Sequence, residues 1–414
     1  MLIKLMQAIL YFLIFVVLLL IVPNINAVST CSGKSCDVIP SKYKNELNSI
    51  DASFQLQYMR PVLESMIEAS TVANNTNSLM GNGLINRFQI GAGLAVGAVK
   101  KDDINFTYGD ISFPKLPNAG VAVSPSVMVG FNLGWILGEG PALDRDKKDK
   151  KKENSESESE ESDETDEEEM VDSSFLHRFN FFFHGMKFGY TVPEMKGAYS
   201  DKPELSGGAK VQSFGGTIRF TLMEPRYALG SLFAFNGFNL GLGYHAQSFS
   251  IDITHEPRTN PIINFGELSG TWIAKTEFDF ASNIRSIPFD IRTGVNLFYF
   301  LDLYAGVGFS RNFGQANLHL YRSGTLVLSN NISTIYNATA ITTDYYQYFN
   351  NPNSRNLNPD GNFTVDIRNK TNVNNSTNYL IVGTELKLLF LRLVAEGLIL
   401  EKSYGASLGL KFSF

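Results

Sequence analysis

The last eleven residues of the chain set its pattern. Tyr404, Ala406, Leu408, Leu410, Phe412 and Phe414 share one parity; Gly405, Ser407, Gly409, Lys411 and Ser413 share the other. Successive side chains of a strand point to opposite faces, so this segment has one apolar face and one small or polar face. The same alternation runs through 88–96, 127–135, 214–222, 238–244, 272–280, 287–299, 301–309, 380–388 and 389–395. After Ala246 the apolar residues change parity to Phe249, Ile251 and Ile253, which predicts a bulge near Gln247. A water-soluble sandwich also alternates, but it rarely needs glycine so often on its second face. Segments of about ten residues, apolar on one side and small or polar on the other, predict a transmembrane antiparallel up-and-down β-barrel over 86–414. About twelve strands are expected, with ten and fourteen as the alternatives. The segment 179–190 is apolar on both faces and 316–328 alternates poorly, which makes the count soft.

Residues 41–70 lack this alternation. Met59, Val62, Leu63, Met66 and Ile67 fall at helical spacing, and Pro61 suits a first helical turn. A helix near 60–71 is expected within a segment 28–85, either packed on the periplasmic side of the barrel or plugging its lumen. Before it, Lys4 and the apolar run from Ala8 to Val22 lead to Pro23 and the small-residue end Asn26-Ala27, the layout of a cleaved export signal over 1–27. At fifteen residues the run is short for a membrane anchor, which needs about 20. Cys31 and Cys36 are the only cysteines, and in an exported chain they predict one small disulfide. Ser29-Thr30 before Cys31 do not match the context of a lipidated cysteine.

Composition sharpens the picture. A mean hydropathy of −0.05 is what two opposed faces average to, and 35 Gly with 32 Phe fit small residues inside and aromatic residues against lipid. The net charge of −6 comes from one place. Residues 144–172 carry 15 acids and 6 bases, which leaves about +3 for the rest. This insert reads as a solvated, disordered loop, and the Asn-rich stretch 329–378 as a long polar loop. Counting strands back from the C-terminus puts the acidic insert on the periplasmic side. Periplasmic turns are short as a rule, so the insert is expected outside. No basic stripe with interleaved aromatics is present, so nucleic acid is not an expected partner.

With the polar face turned inward, the lumen is expected to carry Arg87, Arg219, Lys275, Arg292, Lys387, Arg392 and Lys411 against Glu277, Asp279, Asp290, Asp302, Glu385 and Glu396. A selective pore concentrates one sign at its constriction. A balanced set predicts a salt-bridged interior. His177, His184, His245, His255 and His319 are scattered without metal-ligand spacing, and no nucleophile with its base can be assembled. No catalytic residue, metal or cofactor is expected.

The export signal, the alternating strands and the terminal Leu410-Lys411-Phe412-Ser413-Phe414 resemble those of bacterial outer-membrane β-barrel proteins. The resemblance implies an outer-membrane location, with lipid and the barrel-assembly machinery as partners. It also implies that Tyr404, Leu410, Phe412 and Phe414 form the assembly signal. The Asn-, Ile- and Lys-rich composition is similar to that of spirochaete surface proteins, adhesins among them. Two functions follow as expectations. One is a surface barrel whose long polar loops bind host or extracellular macromolecules. The other is a porin or fatty-acid-transporter-like channel for small or hydrophobic solutes, with the N-terminal helix as its plug.

Overall fold

The structure, a computed structural model, describes residues 26–33, 36, 52–76, 79–108, 111–116, 118–138, 175–196, 203–228, 232–256, 262–265, 268–328 and 361–414. Residues 1–25 of the expected signal, the acidic insert and residues 329–360 lie outside the described residues.

In chain order the elements are β1 (Asn26–Ser32), a π-turn (Gln55–Met59), α1 (Arg60–Asn75), β2 (Phe88–Lys100), β3 (Ile104–Tyr108), β4 (Ile111–Leu116) and β5 (Ala119–Asn132). Then come α2 (Leu133–Ile136), a 3-10 turn (Phe175–Arg178), β6 (Phe179–Lys196), β7 (Pro203–Met223), β8 (Arg226–Ala228), β9 (Phe233–His255) and β10 (Ile262–Phe265). The chain ends with β11 (Leu268–Leu297), β12 (Leu301–Leu328), β13 (Asn362–Leu388), β14 (Leu391–Ile399) and β15 (Ser403–Ser413). Ten strands close an antiparallel ring in the order β2-β5-β6-β7-β9-β11-β12-β13-β14-β15, with β15 returning to β2. Strands β1, β8 and β10 add short pairings to β13, β9 and β11, and β3–β4 form a separate hairpin. The sequence segments 272–280 and 287–299 are one strand, β11, and 301–309 and 316–328 are one strand, β12. Leu133 and Trp135 lie in α2 and not in a strand.

One end of the ring has tight turns. Residues 298–300 join β11 to β12, residues 389–390 join β13 to β14, and Phe414 lies beside Phe88 with its N–H donated to the Phe88 carbonyl at 2.9 Å. Phe298, Tyr299 and Leu389 sit there at φ 53, 65 and 58, left-handed values that short hairpin connections use. The opposite end is tall on one side. A membrane crossing takes about 9–11 strand residues, which matches the 9 of β14 and the 11 of β15. Strands β11, β12 and β13 have 30, 28 and 27 residues, so most of their length stands beyond the lipid.

The excess length explains the residue pattern. On β12 the outward face begins Leu303, Val307, Phe309 and continues Arg311, Gln315, Asn317; the inward face begins Asp302, Tyr304, Ser310 and continues Ala316 and Leu318. Near the short turns the wall is apolar outside and polar inside. Above the lipid border the outside meets water and the inside becomes an ordinary apolar core. Strand β9 makes the same exchange without a bulge. His245, Gln247 and Phe249 all point inward, and the pairing of β9 with β7 and β11 runs through them in unbroken register. The parity change that predicted a bulge is a change of surroundings, not of strand phase. The polar stretch 362–378 is likewise strand β13, so its Asn and Thr residues belong to the tall wall. An outward arginine at Val307 should therefore cost about 2–4 kcal/mol, and an arginine at Asn317 less than about 0.5 kcal/mol, measured by urea unfolding of the lipid-reconstituted protein.

Candidate functional site: the plugged lumen

Helix α1 lies inside the ring. It touches β2, β5, β9, β11, β12, β13 and β15, and nearly all of its residues from Val62 to Asn75 are buried. Pro61 sits in its first turn, where the missing N–H costs nothing. Its apolar residues Leu63, Met66 and Ile67 join Phe249, Phe280, Ile284, Leu318 and Ile367 in the upper core. Burying each such side chain contributes about 1.5–3 kcal/mol. The wall is shaped to receive the helix. A Cβ at Gly97 of β2 would overlap the Ala69 carbonyl, and one at Gly120 of β5 would overlap the Ser65 carbonyl.

The contacts descend in order. Gln55 donates to the Arg368 carbonyl at the tall end (3.0 Å), and Ser65 to Asn118 (2.7 Å). Asn74 donates to Ser286 (3.0 Å) and Ser310 to Asn75 (3.2 Å). The turn after the helix then reaches the membrane level. Arg292 donates to the Gly81 carbonyl (2.7 Å), Asn82 to Asp302 (3.0 Å), and Asn239 to the Asn82 carbonyl (2.8 Å). Gly81 stands at φ +62, and a Cβ there would overlap Glu385, so the turn needs glycine twice over. Leu79, Met80 and Ile85 pack on Met128 and Phe182, which explains why β6 is apolar on both faces.

Beneath this turn lies an ion network. Arg219 and Arg292 both engage Asp290, the second at 3.1 Å, and Arg292 also holds Glu396 at 2.6 Å. Tyr304 donates to Glu396 (3.2 Å) and Arg219 to Asn239 (2.8 Å). In a second group Glu385 binds Lys411 (2.8 Å) and Arg392 (2.9 Å), and Asp302 binds Lys387 (2.8 Å). Arg219, Lys411, Asp302 and Glu385 are fully buried. Their ring neighbours Phe289, Ile291, Leu303, Leu393 and Leu410 face lipid, so the plug turn and the network bound to it together fill the membrane-spanning section.

Nine of the thirteen lumen residues expected from the sequence are in this network; four are not. Arg87 is exposed just before β2. Lys275, Glu277 and Asp279 point outward on the tall wall, where Lys275 pairs with Glu277 (2.8 Å) and Asp279 with His319 (3.3 Å). A polar face turns inward only where lipid covers the outside, and on the tall wall it does not. The polar partners from the plug itself, Asn74, Asn82 and the Gly81 carbonyl, were missed. The one signal for Gly81 and Asn82 is the turn sequence Gly81-Asn82-Gly83, a few residues beyond the helix. His184 and His245 do meet, edge to face at 4.8 Å. His245 is held by Thr217 (3.1 Å) and the Asn74 carbonyl (3.3 Å), which occupies both ring nitrogens. Among the described residues no three His, Cys, Asp or Glu converge as metal ligands.

The remaining expected sites have clear positions. Tyr404, Leu410 and Phe412 face outward on β15, the strand that closes the ring on β2, and exposed Phe414 directly follows it. Phe412 stacks on Phe390, with centroids 6.2 Å apart. Cys31 and Cys36 form a disulfide at the tall end, where β1 pairs with residues 362–368 of β13. The acidic insert leaves from α2 and returns at the 3-10 turn. Both lie at the short-turn end, where Asn132 bonds His177 and Asn180. That end is opposite to the long polar connection, contrary to the expectation that both loops share the outside.

The matches among solved structures are remote. They include the translocator domain of the autotransporter NalP from Neisseria meningitidis, 8% identical over 88% of this chain and 98% of that one, with a TM-score of 0.25. The Ralstonia pickettii toluene transporter TbuX is 8% identical over 86% and 98%, at 0.20, and a Pseudomonas aeruginosa FadL homologue 8% over 84% and 98%, at 0.23. No curated protein sequence matches the chain. Residues 24–414, which span the plug and every strand of the ring, match one family, and the chain therefore belongs to the Lsa36-like family.

Proposed function

We propose that this is a bacterial outer-membrane protein whose barrel is a closed scaffold, and that its tall wall and the connection between β12 and β13 bind host or extracellular macromolecules. The observation that carries the reading is the filled lumen: the plug turn and the paired charges of Arg219, Asp290, Arg292, Glu396, Glu385 and Lys411 occupy the membrane-spanning section. A barrel filled in this way serves display better than permeation. Short turns face the periplasm in such barrels, and the turns at 298–300 and 389–390 support a reading in which the tall wall, β1 and the disulfide are outside and the acidic insert inside. The transporter reading finds little support in the wall. The lateral cavity beside β13, about 620 Å³, is lined by Arg60, Glu64, Glu68, Lys101 and Asn374, a poor exit for an apolar solute.

Epitope insertion tests the orientation and the role together. A tag between β12 and β13 should be stained on intact cells, and a tag within the acidic insert only after permeabilisation. Shortening the β12–β13 connection should reduce adhesion of intact cells to immobilised extracellular-matrix proteins. Staining in the reverse pattern, or adhesion unchanged by the deletion, contradicts the proposal.

A further inference from the structure

The outer wall carries a groove of mixed polar and apolar lining on β6, β7, β9, β11 and β12, above the lipid-facing rows of β6 and β7. Its volume is about 660 Å³; its long polar side chains are Lys187, Lys210, Gln212, Asn283, Gln315 and Asn317, and exposed Phe188 of β6 lines it as well. The groove follows the hydrogen-bond ladder. Lys187, Gln212, Ser248, Asn283 and Gln315 are successive partners along one row, and Lys210, Ser250, Ala281 and Asn317 follow one another in the next. Small residues in mid-row, Ser248, Ser250 and Ala281, leave the depression, and amide and ammonium groups stand at its sides. Four inter-strand steps span about 19 Å, wider than a single phosphate ion.

What lies below and above the groove fixes what it meets. Exposed Phe214 and Arg285 belong to the row beneath, and exposed Phe183, Tyr244, Ile287 and Arg311 to the one below that. The lysines, on β6 and β7, therefore sit at headgroup height above lipid-facing Phe183, Phe214 and Tyr244, while Arg285 and Arg311 keep the β11–β12 side polar. None of the described lining residues is acidic. The nearest outward carboxylates, Asp252 and Asp279, face each other one row beyond, on the water side. An anion in the groove is thus drawn to the lipid side of that acidic pair.

We propose that this groove binds the phosphorylated sugar headgroup of an outer-leaflet glycolipid. Lys187 and Lys210 take the phosphate, Gln212, Asn283, Gln315 and Asn317 take sugar hydroxyls, and the acyl chains lie against Phe183 and Phe214. The assignment rests on the membrane reading of the barrel. Charge-assisted hydrogen bonds from two ammonium groups set the expected effect, and about 1.4 kcal/mol is a tenfold change in affinity.

The test uses the full mature chain in phosphatidylcholine nanodiscs containing bisphosphorylated lipid A or its phosphate-free counterpart, read by native mass spectrometry. The wild type should retain lipid A at least ~10-fold better than the phosphate-free glycolipid, and K187Q/K210Q should lose that preference. Excess inorganic phosphate should leave the bound lipid in place. Equal retention of both lipids by the wild type, an undiminished preference in the double variant, or displacement by inorganic phosphate alone overturns the proposal. Both substitutions are on the exposed wall, so heat-modifiable gel migration should be unchanged; if it is lost, K210Q alone carries the comparison. A wild-type chain that fails to enter nanodiscs at all sinks the membrane reading itself, an outcome separate from loss of lipid preference.

Discussion

Replacing Arg292 with methionine is expected to destabilise the barrel by about 3–5 kcal/mol, the usual cost of leaving buried charges without their partner. Arg292 reaches Asp290 at 3.1 Å, Glu396 at 2.6 Å and the Gly81 carbonyl at 2.7 Å. Without it, Glu396 keeps only the Tyr304 hydroxyl and Asp290 keeps only Arg219. The loss should be read as a lower urea midpoint in lipid vesicles. Lysine at the same position keeps the charge but not the fork that serves three acceptors, so R292K should fall between the two. Pairing R292M with E396Q should recover part of the loss, because the orphaned carboxylate goes with its partner. An R292M midpoint equal to the wild type would show that the network is hydrated and not a packed interior.

The second large effect concerns the plug. Leucine at Gly97 and Gly120 would occupy the space of the Ala69 and Ser65 carbonyls, so α1 cannot seat in G97L/G120L. Helix displacement also withdraws the turn that holds Asn82 against Asp302 and the Gly81 carbonyl against Arg292. Water then enters the membrane section, and the variant should conduct where the wild type does not. Its strands keep their own ladder, so heat-modifiable migration should persist. Folded but non-conducting G97L/G120L protein would mean that the ion network closes the lumen by itself.

How far the sequence reveals this molecule depends on where each strand lies. Strand β15 was legible residue by residue, because lipid covers its whole outer face and glycine or serine fills most of the inner one. Strand β11 was legible as a period but not as an orientation. Its odd residues Phe289 and Ile291 face lipid and its odd residues Lys275, Glu277 and Asp279 face water, with no change of phase between them. Alternation reports that two faces differ; it does not report which one is wet. For the same reason β11 and β12 each read as two strands, and the Asn-rich part of β13 read as a loop. The charged interior was recoverable in outline because a balanced inward set has few other uses. The plug's contacts were not, since Asn74–Ser286 and Asn82–Asp302 join residues more than two hundred positions apart.

Single-channel recording of the refolded chain without residues 1–25 in a planar bilayer tests the central claim, a membrane barrel closed by its own N-terminal segment. The filled lumen predicts insertion, shown by heat-modifiable protein recovered with the membrane, and no stable conductance steps from the wild type. Reproducible open-channel steps from wild-type protein with α1 intact would contradict it.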